Sequence, residues 1–218
     1  MKPLILLNFK TYPEAAGKKA LPLAKKLEKV KTKKYQIVIA PSLPTLEEVA
    51  AGSSLTVYSQ HTDRAGLGAF TGKVSAEELR KIGVKGTLLN HSERKIPFSI
   101  IKKIIADCKK HKLIVVICAS SLAEAKLVAK LTPEYLAYEP PELIGGDVSV
   151  TKAKAEVIVK AVELVKKISP KTKVLCGAGV HSREDLQKAL QLGTKGVLIG
   201  HAVPKAKDPA KFLRELLG

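Results

Sequence analysis

Residues 172–202, "TKVLCGAGVHSREDLQKALQLGTKGVLIGHA", contain two apolar segments, and a short turn of small residues follows each of them. Between the segments lies "SREDLQKALQLG", in which apolar residues recur three and four positions apart, the period of an amphipathic helix. A strand, a helix and a second strand in this order predict two parallel strands joined by a right-handed crossover.

The same unit repeats along the rest of the chain. Apolar segments alternate with helical patterns from "PLILLNF" (residues 3–9) to "PAKFLRELLG" (residues 209–218), with no linker and no shift in composition. The segments are almost continuously apolar, as expected for strands covered on both faces. An open doubly wound sheet and a closed barrel both fit this pattern. About eight units in 218 residues favour one (β/α)8 barrel domain of the TIM-barrel class over residues 1–218.

Cysteine usage and hydropathy indicate a soluble cytoplasmic protein. The three cysteines, Cys108, Cys118 and Cys176, show neither a CxxC motif nor a metal-ligand spacing, which is typical of a reducing compartment. The longest apolar run, "LIVVICA", is far shorter than the roughly 20 residues that span a bilayer. The first residues lack the pattern of a secretory signal. We therefore expect no membrane partner.

The charge balance is strongly basic, with 38 Lys and Arg against 20 Asp and Glu, a formal net charge of +18. Such a surplus attracts anions, and nucleic acid is one candidate. However, the lysines alternate with apolar residues at helical spacing, as in "IIKKIIADCKKHK", which places them on solvated helix faces. With 4% aromatic residues there is also no platform on which bases could stack. A small phosphorylated substrate fits the sign of the charge, and a nucleic-acid partner is not expected.

Polar residues follow several strands at the end where a (β/α)8 barrel carries its active site. Asn8 and Lys10 follow the first strand, His91 and Glu93 follow the fourth, and Glu139 follows the sixth. Taken singly, the lysine fits a surface position and the histidine a capped or core position. The glutamate is harder to explain, because a carboxylate at the end of an apolar strand is costly to desolvate. Their convergence on one barrel mouth indicates a catalytic site.

Each of these residue types has a definite chemistry at such a site. A glutamate in a closed, dry mouth can act as a general base near neutral pH. A histidine kept neutral by a helix N-terminus can polarise a carbonyl, and a lysine can stabilise an enolate oxygen. Backbone N–H groups of "CGAG" (176–179) and "IGHA" (199–202), each leading into a helix, suit a phosphate. The set predicts proton transfer beside the carbonyl of a small phosphorylated sugar.

In these motifs the chain resembles the triosephosphate isomerase family, specifically its short archaeal type, over essentially its whole length. "NFK" (8–10) looks like the first-strand motif and "NHSERK" (90–95) like the histidine motif. "AYEPPELIGG" (137–146) resembles the segment with the catalytic glutamate and the lid. The remaining similar motifs are the subunit-contact loop "GAFTG" (68–72) and the phosphate turns "CGAGV" (176–180) and "GVLIGHAV" (196–203).

The resemblance implies specific roles. Glu139 is expected to be the base that moves a proton between two carbons of dihydroxyacetone phosphate and glyceraldehyde 3-phosphate. His91 is expected to be the electrophile, and Lys10 to stabilise negative charge with Asn8 beside it and Glu93 as its ion-pair partner. The expected phosphate contacts are Ile144 and Gly145 in the lid, Gly179, Gly200 and His201.

The resemblance also implies a homo-oligomer, with a tetramer favoured over a dimer. Phe70 and Thr71 lie in the motif that contacts a neighbouring subunit. No metal ion or organic cofactor is implied.

Two residues depart from the family pattern, and two other functions remain open. Asp147 stands where a glycine is usual, and His201 where the family mostly has glycine or serine. The backbone N–H of His201 can still donate, and a charged imidazole would favour phosphate.

One alternative function is another phosphate-binding barrel that isomerises an aldose and a ketose. The other is a basic barrel that binds polyanions without catalysis.

Overall fold

The fold was analysed in a computed structural model that describes residues 2–141, 149–150 and 155–218. Strands and helices alternate through these residues. The strands are β1 (Leu4–Asn8), β2 (Gln36–Ala40), β3 (Thr56–Ser59), β4 (Gly86–Leu89), β5 (Ile114–Ala119), β6 (Tyr135–Tyr138), β7 (Lys173–Cys176) and β8 (Gly196–Ile199). The α-helices are α1 (Ala20–Leu27), α2 (Leu46–Gly52), α3 (Ala76–Lys81), α4 (Phe98–Lys110), α5 (Leu122–Ala129), α6 (Ala155–Ile168), α7 (Arg183–Gln191) and α8 (Pro209–Leu217).

The strands form a closed parallel barrel in chain order. Each strand pairs with the next, and β8 returns to pair with β1, where Leu4 lies opposite Gly196. This arrangement confirms the predicted (β/α)8 barrel and excludes the open sheet, because a doubly wound sheet would leave two edge strands unpaired.

The strands are mainly apolar because both of their faces are largely buried. Leu4 and Leu6 of β1 belong to the cluster that fills the barrel interior. Ile5 and Leu7 belong to the larger cluster that lies between the barrel and the helices. Successive side chains of a strand point to opposite faces, so most positions of a strand between two cores are apolar.

The helices carry the lysines on their outer faces, as their spacing predicted. In α4 Ile101, Ile104 and Cys108 are buried, whereas Lys102 and Lys109 are exposed. Within the part of the chain that is described, no helix combines the length and the apolar character needed to cross a membrane.

Local capping explains where several helices begin. The Ser75 side chain accepts a hydrogen bond from the Glu78 N–H at the start of α3. Apolar residues at helical spacing begin near Glu14, but α1 begins only at Ala20. Gly17 adopts a positive φ of 54° and opens a short 3-10 turn that delays the helix.

Candidate active site

A pocket opens at the carboxyl ends of the strands, on the side of β1, β4, β6, β7 and β8. It brings together the three residues predicted to be catalytic, Lys10, His91 and Glu139. Its lining also includes Asn8, Tyr12, Ser92 and the residues 177–181 and 198–202. The predicted lid contacts Ile144 and Gly145 lie outside the described residues.

Glu139 follows β6 directly, and its carboxylate is buried at the base of the pocket, with 2% of the residue exposed. One oxygen, Oε2, accepts from the backbone N–H of Ser92 at 3.3 Å, and Oε1 lies 3.4 Å from Nε2 of His91. Burial raises the pKa of Glu139 from 4.5 to about 7, although hydrogen bonds from the Cys118 thiol and Ser92 oppose the shift. A carboxylate with this pKa is suited to accept a proton near neutral pH.

The surroundings of His91 favour the neutral imidazole. Its Nδ1 accepts a hydrogen bond from the backbone N–H of Glu93 at 3.2 Å, which leaves the proton on Nε2, the nitrogen nearest Glu139. Burial lowers the pKa of His91, and the positive charges of Lys10 and Lys95 lower it further, although Glu93 opposes them.

The source of this neutrality differs from the one expected. The sequence suggested a helix N-terminus, but α4 begins only at Phe98. The donor belongs instead to a tight turn, which the Arg94 N–H closes on the His91 carbonyl at 2.8 Å.

Lys10 is fixed by its own backbone as well as by its charge. It adopts a φ of 46°, in the left-handed region that a side chain disfavours. Asn8 stabilises this conformation by accepting the Lys10 N–H at 3.0 Å, and the Gln60 amide donates to the Lys10 carbonyl at 3.0 Å. Its ammonium donates to Oε1 of Glu93 at 2.5 Å. Strain of this kind persists where neighbouring contacts hold a functional group in place.

Two turns of small residues, after β7 and β8, form part of the pocket wall. Gly179 follows β7 with a φ of 72°, a conformation that favours glycine, and α7 begins four residues later at Arg183. The turn at Gly200 and His201 follows β8, but α8 begins only at Pro209. A hydrogen-bonded turn, in which the Lys205 N–H donates to the His201 carbonyl at 3.0 Å, lies between them. Only the first turn therefore leads almost directly into its helix, whereas both were expected to do so.

The sequence did not identify four other residues around the site. Cys118 donates to Glu139, Gln60 supports Lys10, and His181 contacts His201. Gly177 leaves room for the base: a β-carbon at this position would lie 2.5 Å from Cγ of Glu139. Cys118 and Gln60 both lie at the carboxyl ends of strands. A search for polar residues at strand ends, which selected Lys10, His91 and Glu139, could therefore have found them too.

The described residues contain no group of three or more His, Cys, Asp or Glu side chains arranged to hold a metal ion. The pocket offers a base, an N–H donor, an ammonium group and turns of backbone N–H groups. These groups can move a proton beside a carbonyl and balance the charge that develops on its oxygen.

A buried carboxyl group with a raised pKa, beside a histidine at the mouth of a (β/α)8 barrel, is typical of an enzyme that transfers protons. Residues 3–216 match the family model described as "Triosephosphate isomerase". The chain belongs to the triosephosphate isomerase family and is an isomerase.

Archaeal relatives are similar over nearly the whole chain. The triosephosphate isomerase of Methanothermus fervidus is 42% identical over 218 residues, which cover 99% of this chain and 98% of the relative. That of Methanosarcina mazei is 43% identical, with 99% and 97% covered. That of Pyrobaculum calidifontis is 44% identical, with 98% and 94% covered.

Proposed function

We propose that the protein interconverts dihydroxyacetone phosphate and D-glyceraldehyde 3-phosphate by proton transfer through an enediolate. The observation that carries the proposal is Glu139, a buried carboxyl group whose pKa is raised to about 7 and which lies 3.4 Å from a neutral His91. The names of the full-length relatives support the same reaction.

Each catalytic group has one role in this proposal. Glu139 removes a proton from the carbon beside the carbonyl, and the electron pair of that C–H bond forms the enediolate. The Nε2–H of His91 donates to the carbonyl oxygen and moves a proton between the two oxygens. Glu139 then returns its proton to the neighbouring carbon. Lys10, with Asn8 and Glu93 around it, stabilises the negative oxygen.

The phosphate group of the substrate is assigned to the turns after β7 and β8. Gly179, Gly200 and His201 line the same pocket as Glu139. Backbone N–H groups in such turns bind phosphate well, because they donate without the entropy cost of ordering a long side chain. Ile144 and Gly145 complete the proposed phosphate site from the lid.

A coupled isomerisation assay of Glu139→Gln beside the wild type tests the proposal. Gln keeps the size of the side chain and removes the base, so we expect kcat to fall by at least about a hundredfold. Binding of a phosphate-bearing inhibitor should change little. The control is Glu48→Gln, an exposed residue of α2, which should keep wild-type activity. Equal turnover by Glu139→Gln and the wild type would contradict the assignment.

The two alternative functions are not favoured. Another aldose–ketose isomerase would share the phosphate turns, but full-length relatives with the triosephosphate isomerase name match this chain along its entire barrel. A barrel that only binds polyanions does not require a buried carboxylate beside a neutral histidine, because neither group attracts an anion. That alternative would be supported by sub-micromolar affinity for nucleic acid, with a logarithm of the binding constant that falls linearly with the logarithm of the salt concentration.

We infer in addition that the protein is a homo-oligomer, with a tetramer favoured over a dimer. The loop of residues 64–73 exposes Leu67 and Phe70, at 54% and 46%, and Thr71 adjoins Phe70. The loop is closed at its base, where the Asp63 N–H donates to the Val74 carbonyl at 2.7 Å and Asp63 Oδ2 accepts the Val74 N–H at 3.0 Å. A braced loop with an apolar tip suits insertion into a second subunit.

A further inference from the structure

Two histidines lie side by side in the part of the pocket wall that the turns after β7 and β8 form. His181 belongs to the turn between β7 and α7, and His201 to the turn between β8 and α8. Both line the pocket, and their ring centroids are 5.3 Å apart with the ring planes inclined by 47°. His201 is exposed, whereas His181 is half-buried.

One nitrogen of this pair has no hydrogen bond to account for its burial. Nε2 of His181 is buried and has no partner among the residues that the structure describes. A buried polar atom without a partner costs free energy, and in native proteins such atoms usually meet a water, an ion or a ligand. A bound anion would satisfy this nitrogen as an N–H donor.

We propose that the imidazoles of His181 and His201 bind the phosphate group of the substrate together, beside the backbone N–H groups of the two turns. The inference rests on the proposed function, because it assumes that the phosphate lies between these turns. Two protonated imidazoles at this separation repel each other, whereas an anion between them is attracted by both. Protonation of the pair and binding of a dianion therefore favour each other.

Other charged groups near the two histidines can also change anion affinity with pH, so they must be considered in the experiment. The cations that border it are Lys10 from the turn after β1, Arg183 from α7 and Lys205 from the turn after β8. The carboxylates that border it are Glu139, Glu184, Asp185 and Glu215. Tyr12 and His91 face the same pocket. The Asp185 carboxylate accepts hydrogen bonds from the backbone N–H groups of His181 and Ser182, and these bonds cap α7.

Glu139 is the main competing titration. Its pKa of about 7 overlaps the ordinary range of histidine, and losing its negative charge would also favour an anion in the pocket. The experiment therefore uses Glu139→Gln as the starting protein. Sulfate is the probe, because it remains a dianion in the range where a phosphate ester changes its charge.

Sulfate affinity is measured by calorimetry at roughly pH 5.5 and pH 8, on either side of the ordinary histidine pKa. The variants are His181→Asn, His201→Asn and the two combined, each in the Glu139→Gln protein. His111→Asn, at the end of α4 and away from the pocket, is the matched control. Because His201 is exposed, its replacement tests the proposal without disturbing the core.

We expect Glu139→Gln to bind sulfate about tenfold more tightly at the lower pH, since hydrogen bonds to charged groups are among the stronger ones. Each single variant should lose part of this gain, the combined variant most of it, and the control none. In the otherwise wild-type enzyme, His201→Asn should raise KM for the triose phosphate several-fold and change kcat less. An unchanged pH dependence of sulfate affinity in the combined variant would overturn the inference.

The outcomes also separate this inference from the proposed function. If the wild type isomerises triose phosphate and the histidine variants bind sulfate as before, the inference fails and the function stands. If the wild type does not isomerise triose phosphate and the histidine variants lose sulfate affinity, the function fails and the anion site stands.

Discussion

At the residue scale, the burial that would suit Glu139 to its proposed catalytic role also lowers the stability of the protein. Burial raises its pKa from 4.5 to about 7, so the folded protein holds this proton more tightly than the unfolded chain does. Between these two values the folded state binds more protons than the unfolded state. The contribution of Glu139 to stability is therefore fully present below about pH 4.5 and is lost as the pH rises through 7.

Glu139→Gln should consequently gain stability over the wild type as the pH rises, because Gln carries no charge to desolvate. From pH 4.5 to pH 8 we expect the difference in free energy of unfolding to grow by on the order of 3 kcal/mol in favour of the variant. Urea unfolding at the two pH values measures it. The exposed Glu48→Gln should show no such growth. A difference between Glu139→Gln and the wild type that is the same at both pH values would mean that the carboxyl group is not held at a raised pKa.

At the scale of elements, the turn after β7 limits the space available to Glu139, the proposed base, which follows β6. A β-carbon on Gly177 would lie 2.5 Å from Cγ of Glu139 and 2.9 Å from the Tyr138 carbonyl oxygen. The carbonyl belongs to the barrel wall and accepts the Gly177 N–H at 2.8 Å, so the backbone has little freedom to yield.

Gly177→Ala should therefore displace Glu139 and lower kcat by roughly tenfold to a hundredfold, because a shift near 1 Å in a catalytic group is costly. Steady-state kinetics measures the loss. Gly52→Ala is the control, since its added carbon would meet only the movable tip of Leu21, at 2.7 Å. If Gly177→Ala keeps the wild-type kcat, the turn does not position the base.

At the scale of the whole molecule, the exposed apolar side chains are the candidates for contacts between subunits of the proposed oligomer. The large exposed hydrophobic residues among those described are Leu67, Phe70, Phe98 and Leu127. The first two belong to the protruding loop, whereas Phe98 begins α4 and Leu127 lies on α5. Separate apolar sites of this kind are what a tetramer with two different contacts requires.

Phe70→Asp should reduce the molar mass in solution to that of smaller species and lower kcat, because the loop then no longer supports a neighbouring pocket. Leu127→Lys should divide a tetramer into dimers and leave most of the activity intact. Light scattering after size-exclusion chromatography gives the masses. An unchanged mass in both variants would contradict the inferred oligomer.

Much of the fold was predictable because it depends on local patterns that repeat. The eight apolar segments were identified from their composition, and the barrel followed from their number and from the absence of a linker. The start of α1 at Ala20 could not be predicted, because helical spacing does not reveal that Gly17 takes a positive φ. The positions of Lys10, His91 and Glu139 could also be predicted, because each follows an apolar segment whose end is visible in the sequence.

The contacts that refine the site were not predictable, because they join residues far apart in the chain. The hydrogen bond from Cys118 to Glu139 depends on the register of β5 against β6, in which Cys118 lies opposite Ala137. The contact of His181 with His201 depends on how two turns of irregular backbone approach each other. Sequence spacing carries no information on either.

The seam between β1 and β8 has a consequence for how the protein is made. Gly196 adopts a φ of 140°, and a β-carbon there would lie 2.6 Å from the Leu4 backbone nitrogen, so the two strands meet in close contact. During synthesis on the ribosome β1 emerges early, whereas β8 emerges almost two hundred residues later. Until then the edge of β1 that pairs with β8 lacks its partner, and an open edge on a largely apolar strand promotes aggregation. Because β2 pairs with the other edge of β1, the open edge receives its native cover only when β8 has been made.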